Sequence, residues 1–312
     1  MRSRRGSTLT ASGAPWEWGH TWTADGGSWR VNVDPGPLGV PLPFRLPHQW
    51  RLAEQLLQET GAGRWTATHR TLWETLLPPG ELARMDARFG AWLTLPSAGT
   101  GGGLRVYYSL AAYRRRFETL TDFWLAALQD LPVPHLHGVI AALPCGRGPA
   151  MLGAEYHPVR PLTAKWYVRP CDAVHRDAVH DLLDAAGLPR HRELDTVLDL
   201  WTDGLHMFPR GTLLYYLSAD ETGRRGVNVY LDLRRLGRTG PEIRARVTGS
   251  LRALHLWQDA DGLDWSSDPP GLSGLGFRDD GVRVNQYFEP ARLPAAREWS
   301  SGRVTAERAP LP

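Results

Sequence analysis

The chain has 312 residues and a net charge of +3, with 42% apolar and 22% charged residues, the balance of an ordinary globular protein of one large or two average domains. Its basic charge is almost all arginine. The one basic block, Arg114 to Arg116, reads as a solvated helix face, so the charge pattern excludes a nucleic-acid binder built on a basic patch. Two cysteines, Cys145 and Cys171, have no C-x-x-C spacing and fit a reducing cytoplasm, and no apolar run reaches membrane-spanning length.

In chain order, residues 1–14 are basic without an apolar h-region and read as a disordered N-terminus rather than a secretory signal. "PWEWGHTW" (15–22), a "DGG" turn and "WRVNVDP" (29–35) predict a first antiparallel strand pair. "HQWRLAEQLLQETG" (48–61) predicts a helix ended by Gly61. "FGAWLTL" (89–95) and "LRVYYSL" (104–110) form a second pair across "SAGTGGG". Residues 113–131 predict a helix with Phe117, Leu120, Trp124, Leu128 and Leu131 on one face. His135 and His137 share a strand face, lack a third ligand and read as structural. "AMLGAEYHP" (150–158) and "AKWYVRP" (164–170) make the third pair, followed by helices over 173–186 and 193–203. "TLLYYLSAD" (212–220) and "VNVYLDL" (227–233) make the fourth. The next helix has Pro241 in its first turn and Ile243, Val247, Leu251 and Leu254 on one stripe. "DADGLD" (259–264) lacks the twelfth-position glutamate of a calcium loop and reads as a plain loop. "GLGFRDDG" (274–281) and "RVNQYFEP" (283–290) make the fifth pair, and residues 294–312 read as a flexible tail.

The second strand of every pair has two different faces. One reads Arg30, Asn32, Asp34; Arg105, Tyr107, Ser109; Lys165, Tyr167, Arg169; Asn228, Tyr230, Asp232; Asn285, Tyr287, Glu289. The other holds Val31 and Val33, Val106 and Tyr108, Trp166 and Val168, Val229 and Leu231, Gln286 and Phe288. Period two is the mark of a strand, and recurrence at roughly sixty residues marks an internal repeat. The apolar faces must meet the helices, so the polar faces point away from them. An α+β fold satisfies both: a ten-stranded antiparallel β-barrel of five ββα repeats, ringed by outer helices, as one domain over residues 15–293. An open sheet with its polar face in water is the plainer alternative. It does not explain why tyrosine follows a cation or an amide at the same offset in four repeats.

Ten strands leave a lumen too wide for side chains alone to fill. Arg30, Arg105 and Lys165 would give it the charge for a phosphate or diphosphate. Tyr107, Tyr167, Tyr230 and Tyr287 would line it with faces that attract cations. Both features together suit the ionisation of an allylic diphosphate into a carbocation and pyrophosphate, with water kept out. An electron-rich aromatic ring is the natural nucleophile, and Glu17, in the first strand, is a candidate base for the proton it loses.

These segments resemble those of the ABBA prenyltransferases, whose barrel has this organisation, and most closely their indole branch, the dimethylallyltryptophan synthases. "PWEWGHTW" is similar to the branch's P-x-E-x-S segment, which implies that Glu17 bonds an indole N–H. "WRVNVDP", "LRVYY" and "AKWYV" are similar to its diphosphate-binding strands. By resemblance Arg30, Arg105, Lys165 and the amide Asn228 hold the diphosphate, while Tyr107, Tyr167, Tyr230 and Tyr287 shield the cation. The likeness covers roughly residues 15–293. It departs at Thr163, where the family often has a cation that Arg283 or Arg210 could replace here, and at Asn228, where glutamine is usual. The resemblance implies transfer of a dimethylallyl or geranyl group to indole, tryptophan or a Trp-containing peptide, as part of secondary metabolism in the cytoplasm. No D-D-x-x-D motif is present to hold magnesium, so turnover without metal or other cofactor is expected. Little precedes Glu17, a compact form that resembles the cyanobactin peptide prenyltransferases, so a ribosomal cyclic peptide is an alternative acceptor. A non-catalytic barrel that binds an isoprenoid or anionic aromatic ligand is a further alternative.

Overall fold

The structure, a computed structural model, describes residues 14–36, 42–77, 90–96, 103–110, 149–170, 172–256 and 270–290, with Leu9 and Val40 besides. The predicted helix over 113–131, Arg114 to Arg116, His135 and His137, both cysteines, the 259–264 loop, the 294–312 tail and all of the 1–14 segment but Leu9 and Ala14 lie outside the described residues.

Ten strands close into an antiparallel barrel: β1 (Trp16–Thr23), β2 (Gly26–Val33), β3 (Ala91–Pro96), β4 (Leu104–Ser109), β5 (Pro149–Tyr156), β6 (Thr163–Val168), β9 (Leu213–Asp220), β10 (Arg225–Leu231), β11 (Pro270–Arg278) and β12 (Gly281–Phe288). The order around it is β1-β12-β11-β10-β9-β6-β5-β4-β3-β2. A two-stranded ribbon, β7 (Val174–His175) with β8 (Met207–Phe208), stands apart from it. The ribbon takes the first residues of the helix predicted over 173–186, which begins only at Asp177. Two-residue strands are too short to carry a period.

The alternation seen in the sequence becomes two separate apolar compartments. Leu152, Ala154, Trp166, Val168, Val227 and Val229 point outward and are buried under the helices in one continuous core. Each large side chain so buried contributes about 1.5–3 kcal/mol. Tyr107, Tyr167, Leu214, Tyr216, Tyr230 and Tyr287 form a second cluster inside the barrel.

The helices among the described residues are α1 (Leu42–Glu59), α2 (Thr66–Leu76), α3 (Asp177–Ala185), α4 (His191–Thr202) and α5 (Gly240–Ala253). α1 starts six residues before its predicted start and runs through Pro47. It is tied to the barrel by polar contacts. Arg45 pairs with Asp34 just beyond β2. Gln49 donates to the Pro35 carbonyl (3.1 Å) and accepts from the Ala91 amide (3.1 Å). Asp34, predicted to continue the lumen face, is therefore a strap to α1. Under α1 and α2, His69 bonds the Tyr108 hydroxyl (2.6 Å), which bonds Tyr156 (2.7 Å). α5 opens on a capping box, the Glu242 carboxylate accepting the Thr239 N–H at 2.7 Å, with Pro241 in the first turn as expected.

Candidate active site

In an antiparallel barrel with this order, β2, β4, β6, β10 and β12 all run the same way, from the hairpin turns toward the helix-linked end. Every second residue faces the lumen, and each such step advances about 6.7 Å. A repeated order of residue types along these strands therefore becomes a stack of layers along the axis. β12 carries the series alone: Arg283, Asn285, Tyr287, then Glu289 just past its end.

The layer nearest the turns is cationic. Arg105, Lys165 and Arg278 gather around one lumen carboxylate, Glu155, with Arg30 close to Arg105 and Arg283 close to Arg278. Arg30 donates to Tyr287 Oη (2.6 Å), Thr21 Oγ1 (3.0 Å) and Asn285 Oδ1 (3.2 Å). Asn285 donates in turn to Asn228 Oδ1 (3.0 Å), and Arg283 donates to Tyr216 Oη (2.7 Å). Lys165 Nζ lies 2.6 Å from Glu155 Oε2, and Arg105 Nε lies 2.9 Å from the same oxygen. Against the cost of its burial, Arg105 and Lys165 hold the Glu155 carboxyl well below the usual carboxylate range. Burial, then Arg105, work against the charge on Lys165, and the Glu155 carboxylate 2.6 Å away favours it. Repulsion from Arg283, then burial, lowers Arg278 as well. One carboxylate thus offsets only part of the positive charge. Arg30 Nε, Arg283 Nε and Asn228 Nδ2 are buried donors with no hydrogen-bond partner among the described residues, an arrangement that an acceptor with many oxygens would relieve.

The middle layer is aromatic. Tyr107, Tyr167, Tyr216, Tyr230 and Tyr287 form an unbroken series of ring contacts, with successive centroids 5.6, 4.8, 5.9 and 5.7 Å apart. Arg30 lies 4.8 Å from the Tyr287 ring centre and Lys165 lies 5.8 Å from that of Tyr216. Burial pushes the phenols of Tyr167, Tyr230 and Tyr287 up, so they remain protonated donors at neutral pH. Three of the rings lie over glycines directly opposite them on the next strand: Tyr107 on Gly153, Tyr230 on Gly274 and Tyr287 on Gly19. A Cβ at Gly274 would stand 2.5 Å from the Tyr230 ring, and one at Gly153 3.1 Å from Tyr107. At Gly274 a side chain would displace the ring outright, and at Gly153 and Gly19 it would force the ring to shift by a few tenths of an ångström.

The far layer is acidic. Glu17 accepts a hydrogen bond from Asn32 Nδ2 (2.8 Å), and Asn32 Oδ1 accepts one from the Thr94 hydroxyl. Glu289 is buried and pairs with Arg234 at 3.0 Å. Glu17 keeps some contact with water but lies deep in the barrel. Burial raises its pKa to about 8, reinforced by Glu289 and opposed by the Asn32 bond.

The structure thus brings Glu17, Arg30, Arg105, Lys165, Asn228, Tyr107, Tyr167, Tyr230 and Tyr287 to one lumen. Of the two suggested replacements for a cation at Thr163, Arg283 lies in the cationic layer. Arg210 sits on an exposed turn and does not. Among the lumen residues that escaped the sequence reading are Tyr216, Arg278 and Glu155. All lie on first strands of hairpins, outside the repeated motif, although period two from their pairing partners points to each. Among the described residues, no group of three or more His, Cys, Asp or Glu side chains could hold a metal, and no helix is long and apolar enough to cross a membrane. A surface groove between α4 and α5 is lined by Asp199, Asp203, Glu242 and Arg246. Its charges are already paired, Arg246 with Asp203 at 2.7 Å.

A closed ten-stranded barrel with outer helices and a lined lumen defines the ABBA class of fold. Solved structures of that class superpose on this chain. The prenyltransferase PriB, in ternary complex with L-tryptophan and dimethylallyl thiolodiphosphate, matches with a TM-score of 0.72 at 20% identity, over 91% of this chain and 82% of that one. The 5-dimethylallyltryptophan synthase from Streptomyces coelicolor matches with a TM-score of 0.66 at 20% identity, over 91% and 83%. AnaPT from Neosartorya fischeri matches with a TM-score of 0.70 at 12% identity, over 93% and 81%. No protein-family model and no curated relative matches the sequence. The chain has the fold of the indole prenyltransferases it was expected to resemble.

Proposed function

We propose that this chain is an aromatic prenyltransferase that moves a dimethylallyl group from its diphosphate to an indole-type ring. The observation that carries this reading is the axial order of the lumen: unsatisfied cationic donors, then a ring of aromatic faces, then a carboxylate of raised pKa. Each layer meets one part of the reaction. As the allylic C–O bond breaks, the electron pair leaves with pyrophosphate into the layer of Arg30, Arg105, Lys165 and Asn228, with Arg278 and Arg283 adding charge. The allyl cation that remains lies against Tyr107, Tyr167, Tyr216, Tyr230 and Tyr287, whose faces stabilise it while their rings exclude water. An indole carbon attacks it and forms the new C–C bond. The ring regains aromaticity by losing a proton to the Glu17 carboxylate, which also accepts the indole N–H. An acid whose pKa lies near the working pH suits that task.

The neighbours support the substrates. PriB was captured with L-tryptophan and dimethylallyl thiolodiphosphate, and the Streptomyces enzyme is a dimethylallyltryptophan synthase. The protein's own cations supply the charge that magnesium supplies elsewhere, so we propose that turnover needs no metal. The test is product mass. The protein is incubated with dimethylallyl or geranyl diphosphate and with tryptophan, indole or a Trp-containing cyclic peptide, in magnesium or in EDTA. A gain of one isoprenyl unit on tryptophan that survives EDTA is expected. Gain on the peptide alone would reassign the acceptor. No gain with any pair would overturn the enzymatic reading and leave a ligand-binding barrel.

A further inference from the structure

Glu155 has no part in the scheme above, yet it stands inside the cationic layer. Arg105 holds it through two N–H groups, Nε to Oε2 at 2.9 Å and Nη2 to Oε1 at 3.2 Å, and Lys165 adds a third donor to Oε2 at 2.6 Å. A fork of two guanidinium N–H groups plus an ammonium is also the set of donors a phosphate group takes. The position is fixed by the sheet, since Glu155 pairs directly with Arg105 on β4 and with Thr163 on β6. The Lys165 side chain is 3% exposed and that of Glu155 is 19% exposed. The ammonium is therefore enclosed, while its carboxylate partner retains a path toward water.

We propose that Glu155 is a built-in stand-in for the leaving group, which occupies the phosphate-binding donors of Arg105 and Lys165, competes with the diphosphate and so sets donor affinity and pyrophosphate release. The inference rests on the diphosphate reading of this lumen. Five cations alone would hold pyrophosphate tightly after each turnover. A carboxylate that returns to the same donors weakens that hold, and it keeps Arg105 and Lys165 oriented between turnovers.

The experiment titrates inorganic pyrophosphate into the wild-type protein and into Glu155→Gln by calorimetry, with melting temperatures measured alongside. Glu155→Gln keeps the shape and removes the charge. It is expected to bind pyrophosphate about ten- to a hundredfold more tightly, to melt lower without it, and to gain more from it in melting temperature than the wild type does. The KM for the donor falls in parallel, and release of the prenylated product shows a first-turnover burst. Glu155→Asp, one methylene shorter, weakens the competitor without removing its charge, and about threefold tighter binding is expected. This second variant keeps the test open if the first folds poorly. Equal or weaker pyrophosphate binding in the variants would show that Glu155 only braces the clamp, and would overturn the inference alone. No pyrophosphate binding in any form would overturn the diphosphate reading and the inference with it.

Discussion

The two ends of the lumen are built from the same strands and differ in almost every physical respect. Near the hairpin turns, Arg30, Arg105, Lys165, Arg278 and Arg283 crowd together with buried donors unsatisfied. Near the helix-linked end, burial raises the pKa of Glu17 against the Asn32 bond, the nearby Glu289 adds to the rise, and Glu17 takes up a proton. One end is short of anions and the other short of cations. The difference teaches that the axis has a direction, which under the proposed function a diphosphate ester would follow. It also predicts that the ends fail separately.

The largest effect is expected from Arg30→Ala. Loss of a preorganised donor to the leaving group should lower kcat/KM for the donor about 10²- to 10³-fold and weaken pyrophosphate binding, with the KM for the indole acceptor nearly unchanged in steady-state kinetics. Glu17→Gln should lower kcat about 10²-fold and leave pyrophosphate binding as it was. If both variants lost pyrophosphate affinity alike, the two ends would not be separate sites. Tyr230→Leu removes one face from the middle layer. About a tenfold fall in kcat is expected, with more of the donor ending as the alcohol formed by water capture, as chromatography of the isoprenoid products would reveal.

The smallest effect is the pH response of the acidic end. The base form of Glu17 is the ionised one, so acceptor kcat/KM should rise about fivefold from pH 7 to pH 8 and level off above its raised pKa. For stability the sign is opposite. Between its ordinary value of 4.5 and about 8, the folded chain holds a proton on Glu17 that the unfolded chain has lost. Its contribution to stability is therefore present below that window and lost as pH rises through it. Glu17→Gln should abolish both trends in the pH–rate and pH–melting profiles.

Much of this arrangement was legible in the residues themselves. Lys165 and Tyr167 against Trp166 and Val168 state a two-faced strand, and five such strands with helices between them state a closed barrel with a polar interior. What escaped depends on register. Glu155 meets Arg105 and Lys165 because of how β5 aligns with β4 and β6, and the loop that sets the β5–β6 alignment carries no repeated motif. Tyr215 and Tyr216 are adjacent and chemically alike, so only the phase of the pleat decides which one joins the lumen. Arg278 stands beside the "DDG" turn, where a charged residue reads as solvent-facing, yet it closes the cationic layer from β11.

The glycines opposite Tyr107, Tyr230 and Tyr287 have a consequence for what the barrel can measure. A ring laid on bare main chain has no slack behind it, because the surface it rests on is a hydrogen-bonded sheet and not a neighbouring side chain that could turn aside. The bore at the level of these rings is then a rigid calliper, its jaws set by the backbone itself. Under the proposed function, an isoprenoid tail that fits between them would be admitted, and a bulkier one would meet rings with little room to retreat. The gauge for the proposed donor would then be set at Gly19, Gly153 and Gly274, where the chain carries no side chain at all.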